Sequence, residues 1–323
     1  MQRRTAIIWR ICATLVASGV ADLCANAQQV NLLGGVIKNT HDDNLSGTCQ
    51  AEYWIDQAQP FAAGLSYLNE GHFEMHHRDG LAGQLWLQHD VRKLTLAVGA
   101  GPYLYCDTKD DSEDVPYRNE HGVGALSSLM LKWPMTRRLK LQVRGNWIAA
   151  RDMDTCSILV GIGGSFDSLF RKAGVAVQPM APPAKHRNEI TLFTGETIVN
   201  SFGSETTIPV SLEYRRQVRQ HMQWTVSGLY EGCNSMIHRF GPATQLWVVD
   251  NLGDWPLTFG LGAGAYATMD QKGDDRETLA GIVSLTASYQ FHPSYVARVN
   301  WHRILVDYDR DADVVLAGIG YLF

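Results

Sequence analysis

The sequence contains little charge and no basic cluster. Charged residues make up 19% of its 323 residues, hydrophobic residues make up 45%, and the formal net charge is −5. This charge fraction is low for a soluble enzyme, so we expect excess apolar surface to face something other than water. The lack of a basic patch excludes nucleic acid as an expected partner.

Cysteines are also few, and their spacing is not that of metal ligands. Two of the six lie in the first 27 residues, and the others contain no C-x-x-C pair: Cys49, Cys106, Cys156 and Cys233. A zinc site built on paired cysteines is therefore not expected, and no cofactor or metal is predicted. Four cysteines allow three pairings, and we expect isolated thiols or a single disulfide.

The N-terminus has the three parts of a secretory signal. Arginines flank an apolar run over residues 11–20, and residues 25–27 read Ala-Asn-Ala, which fits a cleavage site. The apolar run is too short to cross a bilayer as a helix. We expect cleavage near Ala27 and a mature chain that starts at Gln28.

The mature chain is an internal duplication. Residues 70–86 align without gaps with 231–247, 99–103 with 262–266, 144–147 with 298–301, and 159–163 with 316–320. Chance does not place four such blocks in the same order. The sequence predicts a signal peptide at 1–27, a first β-barrel repeat at 28–166, a proline-containing linker at 167–187, and a second β-barrel repeat at 188–323.

The repeats have the period of β-strands. Over residues 139–147 one face carries Leu, Leu, Val, Gly and Trp, while the other carries Lys, Gln, Arg and Asn; residues 295–302 alternate in the same way. Strands of about ten residues whose apolar face ends in aromatic residues are typical of transmembrane β-strands. Small residues on the polar faces of 95–101 and 258–264 leave room for large lumen side chains in a narrow barrel.

These features predict an all-β fold, a transmembrane antiparallel β-barrel. About eight strands are expected in each repeat, and those of the first begin near Asn31, Cys49, Phe61, Gly80, Leu94, Val123, Leu139 and Cys156. Two tandem eight-stranded barrels and one sixteen-stranded barrel both fit. Tandem barrels are favoured, because each repeat ends in its own Phe-terminated strand and the connection between repeats is long.

Such a barrel is expected in the outer membrane of a Gram-negative bacterium, because only a closed sheet leaves no backbone edge unpaired in lipid. Its expected partners are outer-membrane lipid, lipopolysaccharide and the barrel-assembly machinery, since the alternating C-terminal strand that ends at Phe323 resembles the signature that this machinery reads. Polar segments at 107–120 and 270–277, and the aspartates at 307, 309, 311 and 313, are expected in extracellular loops. They could bind Ca²⁺, although solvation of the loops is favoured.

The densest group of chemically versatile side chains lies at 69–79. Its imidazoles and carboxylates could bind a transition metal, but the second repeat has Cys233 and Ile237 in place of His72 and His76. A buried Glu–Arg network in the lumen is the preferred interpretation, because inward charges need partners. Binding of lipopolysaccharide phosphates or another polar ligand, and metal binding, remain open. The predicted lumen or ligand-binding network comprises Glu70, His72, His76, His77, Arg78, Asp79, Arg144, Asn146, Glu231, His238, Arg239, Arg298, Asn300 and His302.

The segments 67–72 and 76–80, within an eight-strand unit, resemble the outer-membrane lipid A deacylase barrels, which are acyloxyacyl hydrolase-like. The resemblance implies ester hydrolysis on lipid A by a strand-borne histidine, a serine two residues later and a carboxylate. This sequence departs from that pattern, because His302 is followed two residues later by Ile304 and the first repeat has Asn146-Trp147-Ile148 at the matching stretch. His292-Pro293-Ser294, the one H-x-S, falls in a turn predicted to be periplasmic.

No catalytic residue is therefore assigned from the sequence. The expected function is that of an outer-membrane β-barrel protein with a structural, adhesive or surface-binding role. The alternatives are a lipid A ester hydrolase that uses unidentified groups and a narrow porin, which requires the sixteen-stranded barrel.

Overall fold

The structure is a computed structural model that describes residues 28–165 and 188–323, apart from short gaps at 42–43, 57–59, 74–75, 110–116, 137–138, 152, 202–204, 220, 252–255 and 273–275. The predicted signal peptide, the linker and Phe166 lie outside the described residues. Within the described ranges, no helix is long and apolar enough to cross a membrane.

The first repeat forms eight antiparallel strands: β1 (Gln28–Asn39), β2 (Leu45–Asp56), β3 (Phe61–Phe73), β4 (His76–Val91), β5 (Leu94–Lys109), β6 (Arg118–Pro134), β7 (Leu139–Ala149) and β8 (Thr155–Ser165). Each strand pairs with the next, and β8 returns to β1, with Ile162 opposite Leu32. The first repeat is thus a closed barrel in its own right.

The second repeat forms strands β9 (Asn188–Val199), β10 (Thr206–Thr207), β11 (Val210–Arg219), β12 (Met222–Cys233), β13 (His238–Asn251), β14 (Leu257–Asp270), β15 (Arg276–His292), β16 (Tyr295–Leu305) and β17 (Ala312–Leu322). Strand β17 pairs with β9, with Ile319 opposite Leu192, and the short β10 also pairs with β9. The prediction of two tandem eight-stranded barrels is confirmed, and the sixteen-stranded alternative is wrong, because each repeat closes on its own first strand.

One end of the barrels carries the links after β1, β3, β5 and β7 and their equivalents in the second barrel; we call it the loop end, and the opposite end the turn end. Strands β2, β4 and β6 begin at Leu45, His76 and Arg118, several residues nearer the loop end than the sequence predicted. The hydrophobic alternation on which the prediction relied stops at this level, whereas the backbone pairing continues beyond it.

The outer faces of both barrels are apolar. On β4 and β5 the outward side chains Leu85, Leu87 and Val98 are 75%, 50% and 51% exposed. Exposed aromatic residues lie near both ends of this apolar band, for example Trp147 toward the loop end and Tyr321 at the turn end. A belt of this kind matches the surface that a barrel presents to hydrocarbon.

Inside each barrel, a tryptophan lies against a glycine on the neighbouring strand. Trp86 faces Gly99, and Trp247 faces Gly262. A Cβ added to Gly99 would lie 2.4 Å from the Trp86 ring, and one added to Gly262 would lie 2.5 Å from the Trp247 ring. The sequence predicted that inward glycines leave room for large lumen side chains. In each barrel one of these side chains is a tryptophan.

Candidate functional site

A buried glutamate–arginine pair joins two neighbouring strands inside the first barrel, near its loop end. Arg78 donates from Nε and Nη2 to the two carboxylate oxygens of Glu70, at 2.6 and 2.7 Å, and both side chains are at most 1% exposed. Tyr103 and Thr155 donate to the same carboxylate. The pair is bidentate and well supplied with further hydrogen bonds, which is what a buried charge requires.

A β-bulge follows this glutamate. The register of β3 against β4 shifts between Asn69 and His72, where Gly71 has φ +76°. The second barrel has the same bulge at Gly232, with φ +101°. Glycine tolerates this left-handed backbone, and the extra residue reverses the alternation after the glutamate, so that His72 points outward.

A second ion pair crosses the middle of the first lumen. Arg144 on β7 donates to both carboxylate oxygens of Glu52 on β2, at 3.0 and 2.5 Å, and both side chains are inaccessible to solvent. The guanidinium also lies 4.9 Å from the centre of the Trp86 ring. Below it, the Lys132 ammonium lies 3.3 Å from the Trp54 ring centre. Charged and aromatic groups are thus packed against one another in this part of the lumen.

Three such pairs lie at three levels of the second barrel. Arg239 donates to both oxygens of Glu231 near the loop end, Arg215 donates to Glu213 in the middle, and Arg298 donates to both oxygens of Glu189 near the turn end. All six residues are at most 5% exposed. The second lumen therefore contains buried charge pairs as the first does, and has one more of them.

The two lumens differ at the middle level. In the first barrel, Trp54 packs on Trp86 with ring centres 5.0 Å apart. Glu52 and Glu213 occupy equivalent positions on the second strand of their barrels, as their pairing with the first strand shows. Two residues after the glutamate, the first barrel has Trp54, whereas the second has Arg215. The Arg215 guanidinium lies 4.4 Å from the Trp247 ring centre.

The second barrel also contains a buried serine–histidine contact. Ser284 Oγ lies 2.5 Å from His302 Nδ1 and donates to Gln245 Oε1 at 2.7 Å. A hydroxyl has one hydrogen, so while Gln245 accepts it, His302 Nδ1 must donate to the serine and cannot act as its base. Both side chains face the lumen and are at most 4% exposed.

The residues predicted as a lumen or ligand-binding network lie on both faces of the barrel walls. Ten point inward: Glu70, His76, Arg78, Arg144, Asn146, Glu231, Arg239, Arg298, Asn300 and His302. Four point outward at the loop end: His72, His77, Asp79 and His238. His72 and His77 pack ring to ring at 4.2 Å, and His238 lies beside Tyr230 and Phe240. Glu74, one of the carboxylates in 69–79 that could bind a transition metal, lies outside the described residues.

The outward residue Asp79 belongs to a polar seam between the two barrels. Asp79 accepts a hydrogen bond from Arg303 of β16 at 2.5 Å, and Arg303 Nε also lies 3.0 Å from Asp313. Asn200, in the amide orientation that satisfies both neighbours, donates to Asp313 Oδ2 at 3.1 Å and accepts from Arg303. These are outward positions, which on most of the barrel surface carry apolar side chains.

Three further contacts cross the same seam. Asn119 N donates to Asp309 Oδ1 at 2.9 Å, and the ring of Tyr67 meets that of Trp301 edge-on at 5.6 Å. His121 Nε2 lies 2.5 Å from Asp311 Oδ2. Three aspartates expected in a solvated or Ca²⁺-binding loop, at 309, 311 and 313, therefore contact side chains or backbone at the seam.

Several residues of the lumens and the seam were not singled out by the sequence analysis: Glu52, Lys132, Glu189, Glu213, Arg215, Ser284, His121 and Arg303. The lumen members could have been found as charged residues on polar strand faces. Arg303 carried a different signal, because it breaks the apolar outward alternation of its strand. The four described cysteines are free thiols, and Cys49, Cys156 and Cys233 are exposed.

No protein-family model and no curated protein matches the chain. Among solved structures, it is similar to the N-terminal β-barrel domain of Pseudomonas aeruginosa OprF, with 13% identity over 42% of this chain and 96% of that one and a TM-score of 0.35. It is also similar to Ail, the attachment invasion locus protein of Yersinia pestis, with 10% identity over 43% of this chain and 99% of that one and a TM-score of 0.34. A third similar structure is the Pseudomonas putida toluene transporter TodX, with 12% identity over 96% of this chain and 93% of that one and a TM-score of 0.25.

These neighbours are outer-membrane β-barrels, and none of the three is described as an ester hydrolase. The first two match about the length of one of the two barrels. The assignment of the fold rests on the strand pairing within the chain itself.

Proposed function

We propose that this chain is a double-barrel protein of the outer membrane whose two lumens are sealed, and that it acts at the cell surface through its loop end rather than by conducting solutes. The observation that carries the proposal is that ion pairs inaccessible to solvent lie inside both lumens, such as Glu52 with Arg144 across the first barrel and Glu231 with Arg239 on neighbouring strands of the second. Moving solutes past these pairs would require separating charges that are not accessible to water.

The outer surface supports the location. An exposed apolar band with aromatic residues near its edges is costly in water and favourable in lipid. The apparent signal sequence and the C-terminal aromatic residue Phe323 support export and barrel assembly. With the turn end toward the periplasm, the loop end faces the medium and presents polar groups for a structural, adhesive or ligand-binding role.

Conductance in planar bilayers tests the sealed lumens. The mature protein should insert without measurable channel steps, whereas a double variant Glu52→Ala with Arg144→Ala removes one plug and should show some conductance. Insertion of both forms is verified by the heat-dependent migration of folded barrels on gels. Channel steps from the wild type comparable to those of the opened variant would contradict the proposal, and the absence of the protein from outer-membrane fractions would refute its location.

Lipid A hydrolysis takes second place, on the single observation that Ser284 and His302 are in hydrogen-bond contact. Against it, the pair lies inside the second barrel, whereas lipid acyl chains would lie outside. The hydrogen bond that extends from the pair goes to an amide, that of Gln245, rather than to a carboxylate. Mass spectrometry of lipid A from cells that express the chain distinguishes the two functions. We expect unchanged lipid A; loss of an acyl chain that is abolished by Ser284→Ala would favour the hydrolase.

A further inference from the structure

Three metal-ligating side chains converge at the seam from two barrels. Cys106 on β5, His121 on β6 and Asp311 in the β16–β17 loop offer a sulfur, a nitrogen and an oxygen that all lie within 4.8 Å of one another. Cys106 and His121 are directly opposed in the β5–β6 register, and both point outward. The cluster is therefore built into paired backbone rather than being a chance meeting of flexible side chains.

The aspartate is held in position for a ligand. Asp311 is 1% exposed, and its Oδ1 accepts a hydrogen bond from the Val306 backbone N–H at 2.8 Å. This contact leaves Oδ2 directed at His121, with which it forms the hydrogen bond across the seam. A carboxylate fixed by a backbone donor on one oxygen, with the other oxygen directed at the site, is a common arrangement of metal ligands.

The charge of the seam also favours a cation. Two carboxylates, those of Asp79 and Asp313, lie beside the guanidinium of Arg303, and a third, that of Asp311, contacts His121. Asp79 is the register neighbour of Cys106 on the side away from His121, so the three residues form one outward row across β4, β5 and β6. A divalent ion beside this row would offset the excess of negative charge.

From this geometry we infer that Cys106, His121 and Asp311 bind a divalent zinc-like ion that clamps the two barrels together at the loop end. Thiolate, imidazole and carboxylate are the donors that Zn²⁺ takes in proteins, and a set of three leaves a fourth position for water. On binding, the ion displaces the thiol proton of Cys106 and the hydrogen that links His121 to Asp311. The inference requires the two barrels to pack as described, and it does not depend on the role proposed for the surface.

Metal analysis of the intact mature protein tests the clamp. The chain, purified in detergent without a polyhistidine tag, is equilibrated with Zn²⁺, washed, and analysed for bound metal, and the same is done with Co²⁺. We expect about one ion per chain. The Co²⁺ form should show the charge-transfer absorption of a thiolate ligand, which a histidine–carboxylate site lacks.

Variants assign the ligands. Cys106→Ser and His121→Gln should each weaken Zn²⁺ binding by about tenfold or more, and Cys106→Ser should remove the thiolate band. The matched controls are Cys156→Ser and His238→Gln, which change outward side chains of the same types elsewhere and should bind as the wild type does. All forms are first checked for heat-dependent gel migration, so that loss of the fold is not mistaken for loss of the site.

Two results would overturn the inference. One is wild-type metal content no higher than that of Cys106→Ser and His121→Gln, which would leave the cluster as a hydrogen-bonded histidine–aspartate contact. The other is Co²⁺ binding without a thiolate band, which would place the ion at other residues.

Discussion

At the residue scale, the two barrels are built around the same small set of inward side chains. The Glu-Gly dipeptides at the bulges, the arginines that face them and the tryptophans packed on glycine recur in both halves. Each depends on its partner: the buried glutamate needs an arginine to balance its charge, and the tryptophan needs a neighbour without a side chain. Substitutions at these positions should therefore cost far more than similar substitutions on the outer face.

Gly99→Ala should destabilise the first barrel by about 1–3 kcal/mol, because the added methyl group overlaps the rigid ring of Trp86. Gly83→Ala is the matched control, since a Cβ added there meets nothing within 4 Å. Unfolding by urea in detergent, followed by tryptophan fluorescence, measures both. Equal midpoints for the two variants would show that the tryptophan–glycine contact does not limit packing.

Glu231→Gln should cost about 3–5 kcal/mol of unfolding free energy, because it leaves the Arg239 charge buried without its carboxylate. Replacement of both partners, with Glu231→Leu and Arg239→Met, should recover most of the loss, since no charge then remains in the lumen. The exposed Glu196→Gln serves as the control, with an expected change within about 0.5 kcal/mol. A Glu231→Gln variant as stable as this control would contradict the predicted burial of the pair.

At the scale of the strand, the period of two was readable from the sequence, because a slip of one residue would exchange the lumen and outer faces. Residues 139–147 alternate in the structure as predicted, with Gln142 and Arg144 fully buried and Trp147 53% exposed. The ends of the strands nearest the loop end could not be predicted from the sequence. Between the apolar band and the loop end, both faces of the strands are polar and the alternation that marks a strand disappears.

Leu85→Arg tests the outward face of β4 at the middle of its apolar band. If this face contacts hydrocarbon, the charge should cost about 2–4 kcal/mol in liposomes, whereas His89→Arg, on the same face near the turn end, should cost about 0–1 kcal/mol. Unfolding by denaturant in liposomes of defined lipid measures both. Two equally small costs would mean that Leu85, although 75% exposed, does not face lipid.

At the scale of the whole molecule, the distinguishing feature is the polar seam. Side chains on an otherwise apolar outer surface, such as Asp79 and Arg303, are placed where the other barrel supplies their partner. An unpartnered charge at a lipid-facing position is costly, so the seam favours the paired arrangement over separated barrels.

A double-mutant cycle of Asp79→Asn and Arg303→Gln should give a coupling energy of about 0.5–3 kcal/mol, because the two groups form one ion pair across the seam. The comparison cycle pairs Asp79→Asn with Arg216→Gln, an exposed arginine on β11 of the second barrel, and should be additive within about 0.5 kcal/mol. Urea unfolding of the complete mature chain provides the free energies. Additive behaviour in both cycles would mean that the barrels do not rely on this contact.

The sequence by itself determined the all-β fold, the duplication, the outward apolar faces and most of the lumen arginines, because period-two alternation and internal repetition are local properties that need no knowledge of pairing. Closure into two barrels, the partner of each arginine, and the seam were decided only by the tertiary structure. Arg144 and Arg298 are aligned in the sequence of the repeats, yet Leu159 lies opposite Arg144, whereas its repeat equivalent Leu316 lies opposite Asn300. Arg298 is therefore two residues nearer the turn end, where it pairs with Glu189, while Arg144 pairs with Glu52. Cys106, His121 and Asp311 are separated by up to about 200 residues in the chain and share no motif, so they meet only when two closed barrels pack side by side.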